Sequence, residues 1–222
     1  MILNDVDFEI LNTLGNFKCT KFIDASLATA INASNLQESW FIYAPNATTV
    51  NLPNLQKSGN ILANNASIVN LPNLQYAGTI KAPSATTVNL QNLQISGAID
   101  VSYTTKVNLP NLQEAETIEA NNARTVNLPN LQKAGDLEFR VANSLDLQNL
   151  QVCLNLKTVD AKIINLSNLR DCRDIYADNA KKIIIPKRLK SKLKYVPKDC
   201  EIIHPEIESK PQLESFKTFF YK

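Results

Sequence analysis

The sequence predicts an all-β chain, folded as a parallel β-solenoid of about ten 19-residue coils with a cap at each end. Three observations predict it. The phrase VNLPNLQ starts at Val50, Val69, Val107 and Val126, with VNLQNLQ at Val88, so one unit recurs every 19 residues. Within the unit, apolar residues alternate with period two, as in V-N-L and I-x-A, which marks half-buried strands and disfavours helix. A coil of 19 residues holds short strands and bends but cannot enclose a core alone, so the coils must stack. Ten coils at about 4.8 Å each make a rod of about 50 Å.

Taken in chain order, residues 1–11 precede the frame and form an N-terminal cap, residues 12–205 form the solenoid, and residues 206–222 form a tail. The first coil is degenerate, keeping Leu14, Asn16, Phe17, Ile23, Ala25 and Ala28 in frame. Clear units then begin at Ile31, Val50, Val69, Val88, Val107, Val126, Leu145, Ile164 and Ile183. In the last unit the frame slips at Lys187, after which Leu189, Tyr195, Cys200 and Ile203 take the apolar places. Terminal repeats commonly degenerate because one of their faces meets solvent.

Counting columns from the first Val or Ile of each unit, columns 1, 3, 6 and 12 carry large aliphatic residues, while 9, 14 and 17 carry Ala, Ser or Cys. These should face a flat interior with room for one layer of large side chains, with bends at P-N-L-Q, at A-G and near column 16. Asn recurs at column 5, and Asn or Asp at column 2. Such regularity suits a structural ladder of side-chain hydrogen bonds between coils. Cys153 and Cys172 share column 9 and are expected to be buried thiols.

Composition narrows the function. The net charge is +2, from 23 Lys plus Arg against 21 Asp plus Glu, which gives no general attraction to nucleic acid. No apolar run is long enough for a membrane span, no phosphate-binding glycine motif occurs, and no Cys/His grouping has metal spacing, so no membrane, cofactor or metal is expected. The start, MILNDVDFEILN, has no basic segment before its apolar residues, so an intracellular, cytoplasmic chain without a signal peptide is expected.

The phrases L-P-N-L-Q-x-A-G-x-I and A-x-x-V-N-L-P-N-L resemble the leucine-rich-repeat superfamily, especially the short repeats of receptor L-domain-like proteins. The resemblance covers about residues 12 to 205 and departs from the family in its shorter period. It implies a curved parallel sheet with a protein-binding face and no chemistry.

Function is expected where columns vary and face solvent. Column 13 reads Tyr43, Leu62, Lys81, Asp100, Glu119, Glu138, Lys157 and Tyr176. Column 11 flanks it with Phe41, Asn60, Thr79, Ala98, Thr117, Asp136 and Asn155. Aromatic ends around an acidic middle suit a protein partner with basic and apolar features, so a non-catalytic monomeric scaffold, an adaptor or inhibitor, is expected. Two alternatives stand beside it. The basic run containing Lys182, Lys187, Arg188, Lys190, Lys192 and Lys194 suits nucleic acid or nucleoprotein, or else caps an open sheet edge. The stacked acids Asp100, Glu119 and Glu138 suit a carbohydrate-active enzyme, although they lack a cleft and the one His, His204, sits in the terminal coil.

Overall fold

The computed structural model describes residues 2–13 and 15–205; Leu14 and the aromatic tail 206–222 lie outside the described residues. The chain forms a parallel β-solenoid of about ten coils. Each coil contributes a longer strand, spanning columns 8–13 in the regular units, and a three-residue strand at columns 19, 1 and 2. The longer strands, from Phe17–Asp24 through Lys57–Leu62 and Glu114–Glu119 to Leu193–Lys194, join in one ten-stranded sheet, here the long sheet. Pairing shifts by one coil at a time, as in Ile61↔Ile80 and Glu119↔Glu138, so identical columns stack.

The short strands form a second sheet that separates into pieces of four, two and four strands. The gaps fall between Thr87–Asn89 and Lys106–Asn108, and between Thr125–Asn127 and Ser144–Asp146. Each gap follows a coil whose small corner residues have been enlarged. Val101 and Thr104 replace Ala ahead of the first gap, and Phe139, fully buried, replaces Ala ahead of the second. An interior packed for Ala at its corners accommodates added volume by moving backbone, and the weakly held short strand is what moves.

The core is one continuous stack. Ile42, Ile61, Ile80, Ile99, Ile118, Leu137, Leu156 and Ile175 of column 12 are all at or below 1% exposed, and the Ala of columns 14 and 17 are buried beside them. The A-G positions at columns 9 and 10, expected as a bend, lie inside the long strands instead. Columns 9 and 12 both face inward while 10 and 11 face outward, so alternation slips once within the strand. At the glycines of column 10 the backbone lies close against the coil before it. A Cβ at Gly59 would stand 2.1 Å from the Trp40 carbonyl oxygen, and one at Gly135 would stand 2.2 Å from that of Glu116. Glycine is required there for close approach.

The Asn columns are the expected ladders. At column 2, Asn51 donates to Asn32, Asn70 to Asn51 and Asn89 to Asn70; the ladder resumes with Asn127 to Asn108 and Asn165 to Asp146. Side-chain ladder and short strands therefore break at the same places. At column 5, Asn54, Asn73, Asn111, Asn130 and Asn149 donate to backbone carbonyls of the preceding coil at 2.7–2.8 Å.

The first coil is closed by a segment outside the repeat, and the last coil departs from the repeat pattern. Helix α1 (Asp5–Leu11) starts in a capping box, in which Asn4 accepts from the Val6 and Asp7 amides and Asp7 accepts from the Asn4 amide. Phe8 enters the core. The Asp5 carboxylate accepts from the Thr29 hydroxyl at 2.6 Å and from the amides of Thr29 and Ala30. Asn12 donates to the Asn32 carbonyl and accepts from the Ser34 amide. These contacts satisfy groups on the first short strand that a next coil would otherwise satisfy. At the other end a 3-10 helix, Lys187–Lys192, buries Leu189, and His204 Nδ1 lies 2.9 Å from the Ile185 carbonyl. Tyr195, expected among the apolar columns, is instead 76% exposed, with a φ of 52° and its ring stacked on Tyr176 at 5.9 Å. The slipped frame leaves no interior column at that position.

Candidate binding faces

The outward side of the long sheet carries columns 8, 10, 11 and 13. It brings Phe41, Tyr43, Leu62, Lys81, Asp100, Glu119, Glu138, Lys157 and Tyr176 onto one surface, in chain order along the rod. Three zones follow. In the first coils Phe22 lies 5.0 Å from Phe41 and 6.3 Å from Tyr43, ring centre to ring centre, and Phe22 is 41% exposed. Trp40 projects beside them, 72% exposed, and Tyr76 carries Lys57 Nζ over its ring at 5.7 Å. Trp40, Tyr76, Lys57 and Ser39 line an open groove there.

The second zone is acidic. Glu119 lies between Asp100 and Glu138 in register. Partial burial raises its carboxyl above the usual glutamate range, and the two neighbouring acids raise it further. The flanking acids have other partners: Asp100 accepts from the Ser102 hydroxyl at 2.7 Å, and Glu138 pairs with Arg140 at 2.6 Å. The three form an acidic strip along the sheet. The third zone holds Lys157, Arg173, Tyr176 and Tyr195 around an inward polar bridge. Asn155, expected on the surface, is only 7% exposed; it donates to Asp136 at 2.6 Å and accepts from Arg173 at 3.2 Å. The larger outward side chain at Leu154 replaces the glycine of this column and accompanies that burial.

The basic run divides in two. Lys187 and Lys190 are exposed on the 3-10 helix and Lys192 is half-buried. Arg188, expected from the sequence as one of the polyanion-facing cations, instead turns inward, donating from Nη2 to the Leu169 carbonyl at 3.1 Å, with Nε buried and unpartnered. Lys182 approaches Glu201 at 3.6 Å and Lys194 approaches Asp174 at 3.7 Å.

No known family model, curated protein or solved structure matches this chain. Its surfaces therefore have to be read from their own chemistry. Among the described residues no helix is long and apolar enough to cross a membrane, and no group of His, Cys, Asp and Glu is placed to hold a metal ion. Cys153 and Cys172 are buried free thiols; burial pushes both up, Cys172 to about 12, which keeps them as unreactive thiols at neutral pH.

Two surface features escaped the sequence reading. Column 10 belongs to the A-G phrase expected as a bend and column 8 carries no expectation, so Trp40, Tyr76 and Ile95 stand outside the expected face; a Trp in a column otherwise rich in glycine (Gly59, Gly78, Gly97, Gly135) is the available signal. On the other flank, columns 16 and 18 of four successive coils form a polar groove of about 850 Å³ lined by Tyr103, Asn122, Arg124, Asn143, Asp160 and Lys162. In earlier coils column 18 holds Thr48, Ser67 and Thr86, whose hydroxyls bond the carbonyl of the preceding coil. The change to longer side chains marks where that column stops serving the backbone.

Proposed function

We propose that the chain is a non-catalytic scaffold that binds a protein partner, as an adaptor or inhibitor, through the outward face of the long sheet. The observation that carries this reading is the exposed aromatic group Phe22, Tyr43 and Trp40, packed around the half-buried Phe41, with the acidic strip Asp100, Glu119 and Glu138 further along the same uninterrupted sheet. Large aromatic anchors supply most of the energy of protein interfaces, and a strip of one sign selects the partner and speeds encounter. A partner with a basic segment next to an apolar one fits that surface. Kinship with leucine-rich repeats belongs to the same proposal and is supported by the repeat phrases and the parallel strands, not by any match to a known family.

The test is affinity capture from a lysate of the source cells, comparing the native chain with a variant carrying Tyr43→Ala, Lys81→Glu, Glu119→Lys and Glu138→Lys. The expected outcome is a partner retained by the native chain and lost by the folded variant. Equal capture by both overturns the choice of face. Arg188 donates to the Leu169 carbonyl, which leaves polyanion binding to the other cations of the last coil.

A further inference from the structure

Among the described residues, the two ends of the rod differ in charge and each carries apolar groups at least partly open to solvent. We propose that the protein associates with further copies of itself head to tail, the outer face of α1 in one molecule docking on the lysine-rich last coil of the next. This departs from the monomer expected from the sequence.

At the head, Phe8 points into the core while Val6 and Ile10, one turn apart on the opposite side of α1, are 60% and 57% exposed. Ile2, just ahead of the helix, is 62% exposed. A short cap helix that served only to seal the coil would have polar residues at these places. The acids Asp5, Asp7 and Glu9 lie in this segment, and the first cation of the chain is Lys18. At the tail end, residues 181–198 contain eight Lys or Arg and no acid. Lys187 and Lys190 stand exposed on the 3-10 helix. The final short strand, Glu201–Ile203, is the last of its sheet, and its Ile202 and Ile203 are only half-buried.

The two surfaces occupy matching positions around the rod. Asp5 fixes α1 over Thr29 and Ala30, and Asn12 fixes it over Asn32 and Ser34, so the helix lies across columns 18 to 4 of the first coil. Glu201–Ile203 continues columns 19, 1 and 2, since it pairs with Lys182, Ile183 and Ile184. A second copy displaced along the axis brings Val6 and Ile10 toward Ile202 and Ile203, with Glu9 beside the lysines. Because Asp5 and Asn12 already satisfy the first short strand, the contact is made by side chains and not by added sheet hydrogen bonds. A heterologous contact of this kind does not close on itself, so it propagates into a series.

Sedimentation velocity of the full chain over a range of concentrations, at about 0.02 M and about 0.5 M salt, tests the proposal. The expected result is an open series of species that grows with concentration at low salt and recedes at high salt. Head-blocked (Val6→Asp with Ile10→Asp) and tail-blocked (Lys187→Glu with Lys190→Glu) variants each sediment as monomers alone. Mixed in equal amounts they form one-to-one pairs and nothing larger, since each retains one competent end. All four substitutions are at exposed positions, and circular dichroism with a thermal melt checks that each variant folds. A native chain that stays a single size at every concentration and both salts overturns the proposal. So does a closed dimer indifferent to the lysine reversals, or a mixture that remains monomeric.

Discussion

The two flanks of the same coil respond differently to the same change in packing. The long sheet runs unbroken through ten strands, whereas the short-strand sheet parts wherever Val101 with Thr104, or Phe139, replaces alanine at the corner. Length of strand explains the difference. Six residues per regular coil hold the long sheet through several bonds each, and three residues plus one Asn side chain hold the other. Excess volume inside the coil is therefore relieved on the weaker flank. The broken flank carries the polar groove of Tyr103, Arg124 and Lys162, while the unbroken flank carries the ordered aromatic and acidic columns. A surface that has to present a fixed pattern of side chains is best built on the flank that does not move.

Five substitutions test this contrast between the flanks. Phe139→Ala has the largest expected effect, a loss of about 3 kcal/mol in urea unfolding; this is the low end for a buried Phe because the gap can close behind it. Slower hydrogen exchange of the amides near Ser144–Asp146 is expected alongside. Ala82→Leu makes the reverse change at a corner that is 1% exposed, and should cost about 1–3 kcal/mol. It should open a new gap, seen as faster exchange of the Leu71 amide, which now bonds the Asn89 carbonyl. Asn70→Ala removes both ladder bonds of an unbroken stretch, at about 1 kcal/mol each; Asn108→Ala, at the edge of a gap, removes one and should cost about half as much. The smallest effect is that of Glu119→Gln. The raised carboxyl of Glu119 means its charged form opposes folding, so the native stability contribution is present below the unfolded glutamate range and lost as pH rises through the folded value. The Gln variant should melt slightly higher than the native chain at neutral pH, and the difference should vanish in acid.

The sequence showed the coil length, the inward columns and the Asn ladders because each is a period-19 signal that stacking imposes on every copy. Column 13 was legible for the opposite reason: it varies while its neighbour Ile column does not. The slip of alternation between columns 9 and 12 was not legible, since Ala-Gly reads as a bend until the pressure of one backbone on the next is seen at Gly59. That misreading concealed Trp40, which stands in the glycine column. The inward turn of Arg188 and the burial of Asn155 depend on contacts to Leu169 and Arg173 one coil away, which no single repeat reveals. The gaps in the second sheet could have been suspected from Val101, Thr104 and Phe139 standing in alanine columns, but only the strand lengths decide which flank yields.

Under the proposed function, the partner binds the unbroken flank. Titration calorimetry of the captured partner against two folded variants tests it directly, one altered on the long sheet (Trp40→Ala, Tyr43→Ala and Glu119→Lys) and one altered in the groove (Tyr103→Ala, Arg124→Ala and Lys162→Ala). Affinity should fall at least about a hundredfold, some 2.7 kcal/mol, for the long-sheet variant and stay native for the groove variant. Native affinity in the long-sheet variant, with loss in the groove variant, would contradict it.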